Sequence, residues 1–245
     1  MPTVHNSVHL APSIPPQELP RSPPTASRVT GADVARERAV VERVCAGGIL
    51  ADYALVVKDV SRFFGSFAAV RGVSLAVRPG ECLGLLGVSG SGKTALLNMI
   101  AGITPLSSGN CYSSVGDILG DLGKWQSNIG VCPYPGGFTE SMHARGFLRL
   151  VGRLRGIPAW RLADSVESMI SLFDLEALAD IPHQAYTLGD KRRLSIAAAL
   201  LNMPPIVLLD DPYAGVDFAL KKMIAGVLKQ VRLTAKTSIL LATHR

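Results

Sequence analysis

The chain has 245 residues, 48% of them hydrophobic, which is enough apolar surface for one or two cored domains. No apolar run reaches the ~18 residues a bilayer crossing needs, and the first residues lack the basic-then-apolar pattern of a secretory leader. The net charge of +6 suits nucleotide phosphate or a solvated basic face as well as nucleic acid, so no specific nucleic acid is expected; Cys45, Cys82, Cys111 and Cys132 stand too far apart for a zinc site or disulfide framework, which fits a reducing compartment.

Residues 1–31 read as a disordered proline-rich tail. Seven of the sixteen prolines fall there, in stretches such as SIPPQELPRSPP, and the apolar residues show no period. A polyproline docking segment is the alternative. Residues 32–52 read as a charged lead-in helix and linker, with Val34, Val40, Val41 and Val44 roughly on one side. One domain follows over 53–245. ALVVKDV, GVSLAV and ECLGLLG are strands, the last two joined by a turn at Arg78–Gly80, and KTALLNMIA has helical spacing. Residues 105–128 are loop-rich with weak strand signals, and QSNIGVCP is a short strand. From Thr139 to about Ala179 the pattern is helical, with Pro158 separating two apolar faces. Arg145, Arg149 and Arg153 recur as a basic stripe, read as a solvated face, with a docking surface for an acidic partner as the alternative. A helix over Asp190–Leu201, a buried strand IVLLD, a helix over Asp217–Arg232 and a strand SILLAT complete the chain.

GVSGSGKT, Gly87–Thr94, matches GxxxxGK[ST] in full. Gly87, Gly90 and Gly92 permit backbone conformations that other residues resist, so the amides of Val88, Ser89 and Ser91 and their neighbours can turn inward around phosphate oxygens. The helix that starts near Lys93 adds its positive end. Lys93 reaches the β- and γ-phosphates, and the Thr94 hydroxyl binds magnesium. A strand before the loop and a helix after it supply the required context. Asp210, at the end of a buried strand, fits the second metal position. Asp211 is read in two ways: it orients or deprotonates a water, or it caps the turn DPYAG.

These residues together resemble the nucleotide-binding domain of an ATP-binding cassette (ABC) transporter, from about Ala54 to the C-terminus. RFFG at 62–65 is similar to the aromatic loop that stacks on adenine, with Phe64 as the stacking residue. NIGVCPYPGG at 128–137 stands in the place of the glutamine loop and YTLGDKRRLS at 186–195 in that of the signature motif. PPIVLLDDP resembles Walker B, AGVD at 214–217 the D-loop with Asp217, and His244 the switch histidine. A narrower resemblance is to the second cassette of subfamily A, the lipid-exporter branch, carried by GECLGLLGVSGSGKT, IGVCP, LRGIP at 154–158, KRRLS and the charged lead-in.

The resemblance implies an α/β fold: a P-loop NTPase core with a mainly parallel sheet, an N-terminal antiparallel β subdomain and a helical insertion at about 139–200. The chain stops at the switch histidine, so a C-terminally truncated fragment of a longer polypeptide is expected, with a half-size subunit as the alternative. Further implications are ATP and Mg2+ as cofactors and two partners: a second nucleotide-binding domain, in cis or in trans, and a transmembrane domain. The location is the cytoplasmic face of a membrane, and the activity is ATP-driven export, of lipid in this branch. The rivals are a regulatory pseudo-ATPase, a soluble cassette protein acting on nucleic acid or the ribosome, and a small-molecule kinase, for which no second pocket is identified.

The departures bear on mechanism. Asp211 replaces the family's glutamate and is one methylene shorter; a misplacement of about 1 Å costs on the order of a hundredfold in rate. Tyr134 stands where the glutamine belongs, and a phenol lacks an amide's pair of donor and acceptor groups. Thr187, Leu188, Gly189 and Asp190 replace a serine, two glycines and a polar residue. Leu188 adds bulk and Asp190 a charge that repels a triphosphate. The expectation is a chain that binds Mg-ATP well and hydrolyses it slowly or not at all, with Asp211 and His244 as the catalytic candidates.

Overall fold

The computed structural model of the chain describes residues 31–46, 49–134, 136 and 141–244. Residues 1–30 of the proline-rich tail, residues 135 and 137 of the glutamine-loop stretch, and residues 138–140 after it lie outside them. Helix α1 (Gly31–Ala46) buries Val41 and Val44 against Tyr53 and Val56. Strand β1 (Leu55–Phe64) turns at Gly65, whose φ is +58°, into β2 (Phe67–Val77), forming a hairpin that pairs Phe64 with Phe67. Val56 faces α1, while Leu55 and Val57 face the main core, so the start of β1 is buried on both sides. Then come β3 (Cys82–Leu86), α2 (Lys93–Ile100), β4 (Ser108–Ser113), β5 (Gly116–Asp117), α3 (Leu122–Ser127) and β6 (Ile129–Cys132). A helical layer of α4 (Ala144–Leu154), α5 (Ala159–Leu172) and α6 (Leu188–Leu200) precedes β7 (Ile206–Asp210), α7 (Phe218–Thr234) and β8 (Ser238–Thr243).

Two sheets result. One is antiparallel, in the order β2-β1-β4-β5; the other is parallel, in the order β3-β8-β7-β6. The parallel sheet is covered on one face by α4–α7 and on the other by α2 and the antiparallel sheet, which explains why all five residues of β7 are buried and the first four, Ile206–Leu209, read as a continuous apolar run. This is the expected α/β architecture. Gly130 in β6 sits so close to α6 that a Cβ there would collide with the Ala199 carbonyl. Helix α6 therefore rests on the strand backbone at that point.

Four local expectations are corrected. The helix read as Asp190–Leu201 begins at Leu188, because Thr187 caps it. The stretch read as loop and weak strand contains α3, held by Trp125, whose Nε1 donates to Ile100 O at 2.8 Å. Residues 62–64 belong to β1 rather than to a loop. Arg145 is no part of a merely solvated stripe: it is paired with Glu167, at 2.8 Å, and with Asp180.

Candidate nucleotide site

A cavity of about 1200 Å³ opens at the C-terminal ends of the parallel strands, where ligands of open α/β sheets sit. It is lined by Ser89–Thr94, Tyr134, Asp210, Asp211 and His244, and runs on along α7. The phosphate loop is closed on itself. Lys93 Nζ donates to Gly87 O at 2.7 Å, to Val88 O at 2.9 Å and to Ser91 Oγ at 3.2 Å. Gly90 and Gly92 have φ of +81° and +90°, which only glycine adopts without strain. Gly92 is also the N-cap of α2, and no side chain caps that helix start, so its first amides face the loop. A Cβ on Gly92 would press into the Ala69 carbonyl of β2, which ties the antiparallel hairpin to the loop.

Thr94 Oγ1 donates to Asp210 Oδ2 at 2.8 Å, joining α2 to the end of β7. Burial pushes the Asp210 carboxyl up and Asp211 adds to this, against the downward pull of the Thr94 hydroxyl, Lys93 and Arg192. A divalent cation would relieve that strain. Among the described residues no three His, Cys, Asp or Glu side chains form a metal cluster. Magnesium needs none, because it keeps waters and phosphate oxygens and takes only one or two protein oxygens. Thr94 and Asp210 are a hard-oxygen set of that kind, so the residues present fit Mg2+.

Asp211 has a φ of +44°, in the left-handed region that aspartate tolerates better than most residues. Its amide donates to Ala242 O and its carbonyl accepts from Ala214 N, which makes the turn. Its carboxylate turns instead toward β8: Oδ2 lies 2.7 Å from His244 Nδ1, and Oδ1 accepts from Thr243 Oγ1 at 3.3 Å. The side chain thus stands in the cavity rather than capping the turn. Thr243 is a contributor that sequence reasoning missed; its only signal was its place before His244.

The remaining candidates lie elsewhere. Phe64 is half exposed, with the Arg62 guanidinium 4.6 Å above its ring, and does not line the cavity. Asp217 caps α7 by accepting from Leu220 N at 2.8 Å. Thr187–Asp190 form a capping box. Thr187 Oγ1 and N both donate to Asp190 Oδ2, at 2.6 and 3.0 Å, and Asp190 N donates back to Thr187 Oγ1. Burial raises the Asp190 carboxyl, yet the Thr187 and Arg193 hydrogen bonds outweigh it and hold the group below the usual carboxylate range. The charge expected to repel a triphosphate is therefore engaged within the chain. The Leu188 side chain fills the space over Gly215, where a Cβ would collide with it.

The sequence profile described as ABC transporter matches residues 70–214. The chain belongs to the ABC transporter family. Its described residues build that family's ATP-binding domain, and its relatives include subfamily A proteins. ABC transporter A family member 8 of Arabidopsis thaliana is 36% identical over 220 residues, covering 86% of this chain and 24% of that protein. The retinal-specific phospholipid-transporting ATPase ABCA4 of Homo sapiens is 35% identical over 214 residues, covering 86% and 9%. This ABC transporter chain thus spans about a quarter or less of the length of the curated relatives it matches. Among solved structures, an ATP-binding subunit of an ABC transporter superposes with a TM-score of 0.71 at 23% identity, covering 78% of this chain and 79% of that one. The ATP-binding cassette MJ0796, a dimer in a post-hydrolysis state bound to ADP and Pi, gives 0.70 at 22%, covering 78% and 88%. These two likenesses carry the fold.

Proposed function

We propose that this chain binds Mg-ATP between its phosphate loop and Asp210, and that binding closes it against a second nucleotide-binding domain to drive export, probed first as lipid export, through a transmembrane domain on whose cytoplasmic side it sits. The observation that carries the reading is the 2.8 Å contact between Thr94 and Asp210, which brings loop and strand end to one point. Lys93 and the α2 amides bind and orient the phosphates. Thr94 and Asp210 hold the cation, which when bound neutralises charge on the phosphate oxygens. Asp211, braced by Thr243 and His244, is the group placed to take a proton from an attacking water.

Slow hydrolysis is part of the proposal. In the family each ATP site is completed by the other cassette's signature motif, and here the Thr187 hydroxyl and amide are both spent on Asp190. That observation equally favours a second reading, an ATP-gated regulatory domain without turnover. Calorimetry with ATP, with and without Mg2+, tests binding; steady-state phosphate release by the domain paired with a second cassette tests turnover. Release at the rate of an ordinary cassette that disappears in Asp211→Asn would refute the slow-hydrolysis reading. Absence of Mg-dependent ATP binding would remove the whole proposal.

A further inference from the structure

Arg192 is only 4% exposed, in the first turns of α6. Its NH1 donates to Pro133 O at 3.2 Å and contacts Cys132 Sγ at 3.7 Å, both at the end of β6. Cys132 Sγ in turn donates to Ser195 Oγ at 3.2 Å, one turn further along the same helix. The guanidinium carbon lies 5.1 Å from the centroid of the Tyr134 ring. A planar guanidinium can donate in its plane to a carbonyl while its flat face rests on a ring; a tetrahedral ammonium has no face to stack. Burying a cation is costly, and the ring adds to what the Pro133 carbonyl and the nearby Asp210 charge do to hold it there.

Tyr134 is half exposed and lines the nucleotide cavity. One side chain therefore touches the wall of the cavity and belongs to the helix whose N-terminal residues are Leu188–Asp190. Those residues meet their own D-loop, with Leu188 over Gly215. We propose that Arg192 is a positioning residue: it clamps the Tyr134 ring at the cavity mouth and passes any displacement of that ring by a seated nucleotide to the 187–190 segment of the same chain. The inference rests on the ATP-binding reading. It assigns Tyr134 a role its phenol can perform, that of a ring held by a cation, in place of the amide chemistry it lacks.

Hydrogen exchange of the chain with and without Mg-ATP tests it. In the natural sequence ATP changes exchange in a peptide over the phosphate loop, 87–97, and in one over the start of α6, 186–194. Tyr134→Phe keeps both responses, because the ring face and not the hydroxyl makes the contact. Tyr134→Leu and Arg192→Lys keep the first response and reduce the second by roughly threefold or more. Tyr134→Leu, at a half-exposed position, secures the test if the buried arginine variant fails to fold. An α6 response that survives in Tyr134→Leu, or that is absent from the natural sequence while the phosphate loop responds, overturns the clamp alone. A silent phosphate loop overturns both the clamp and the ATP-binding reading.

Discussion

The phosphate loop and the signature segment are both short glycine-containing stretches at the start of a helix, and they end up chemically opposite. At Gly92 no side chain caps α2, so the helix start is open to an anion. At Thr187 a capping box satisfies the first donors of α6 from within, and Arg193 neutralises the carboxylate that does it. The lesson is one of accounting. Of two helix starts, the one whose first amides no side chain caps is the one left open to an anion.

The comparison can be broken in order of effect. Lys93→Ala removes the one ammonium group at the loop and is expected to weaken ATP by at least about 100-fold, the loss of two charge-assisted hydrogen bonds; calorimetry reads it, and near-normal affinity would take the anion site away from the loop. Asp210→Asn should abolish the Mg2+ dependence of ATP binding while raising the thermal midpoint of the ligand-free chain by about 2–4 °C at pH 7. The sign follows from burial. A carboxyl raised by folding favours the protonated form, so its contribution is fully present below the unfolded pKa of about 3.9 and is lost as pH rises through the folded value. The variant's advantage should therefore vanish in acid, and a midpoint that falls at pH 7 would contradict the account.

Asp190→Asn tests the other region. Its folded pKa is depressed, so its contribution is present above about pH 3.9 and lost as pH falls through the folded value. The variant should lose about 1 kcal/mol at pH 7 by urea unfolding and converge with the natural chain in acid. A loss that persists in acid would show that the Asp190 charge is not what braces the segment. Leu188→Ala should have the smallest effect, within about 0.5 kcal/mol, since the side chain is more than half exposed. A larger loss would mean that its contact over Gly215 matters to folding.

Legibility followed the range of the interactions. The phosphate loop was readable because its conformation is written in glycine spacing, and β7 because a strand covered on both faces reads as an apolar run, here Ile206–Leu209 ahead of Asp210. Helix α3 was not readable: its six residues bury only Trp125, and the bond that fixes it reaches back to Ile100. The capping box at Thr187 and Asp190 was present in the sequence as T-x-x-D, but matching those residues to motif positions hid their local use. The direction of the Asp211 carboxylate depends on a positive φ and on the end of β8, neither of which a linear reading supplies. Arg192 was visible only as one of several basic residues, because its partners sit across the sheet edge.

The close seating of α6 on Gly130 has a mechanical consequence. With Ala199 pressed on the strand, the helix has a pivot near its C-terminal end, and about 16 Å of helix, packed along its buried face, separate that point from Leu188. A tilt of about five degrees about that fulcrum swings the tip by roughly 1.4 Å, while the far end stays in register with β6. Arg192 lies about 10 Å from that pivot, so a displacement there is carried to the tip with a gain of about one and a half.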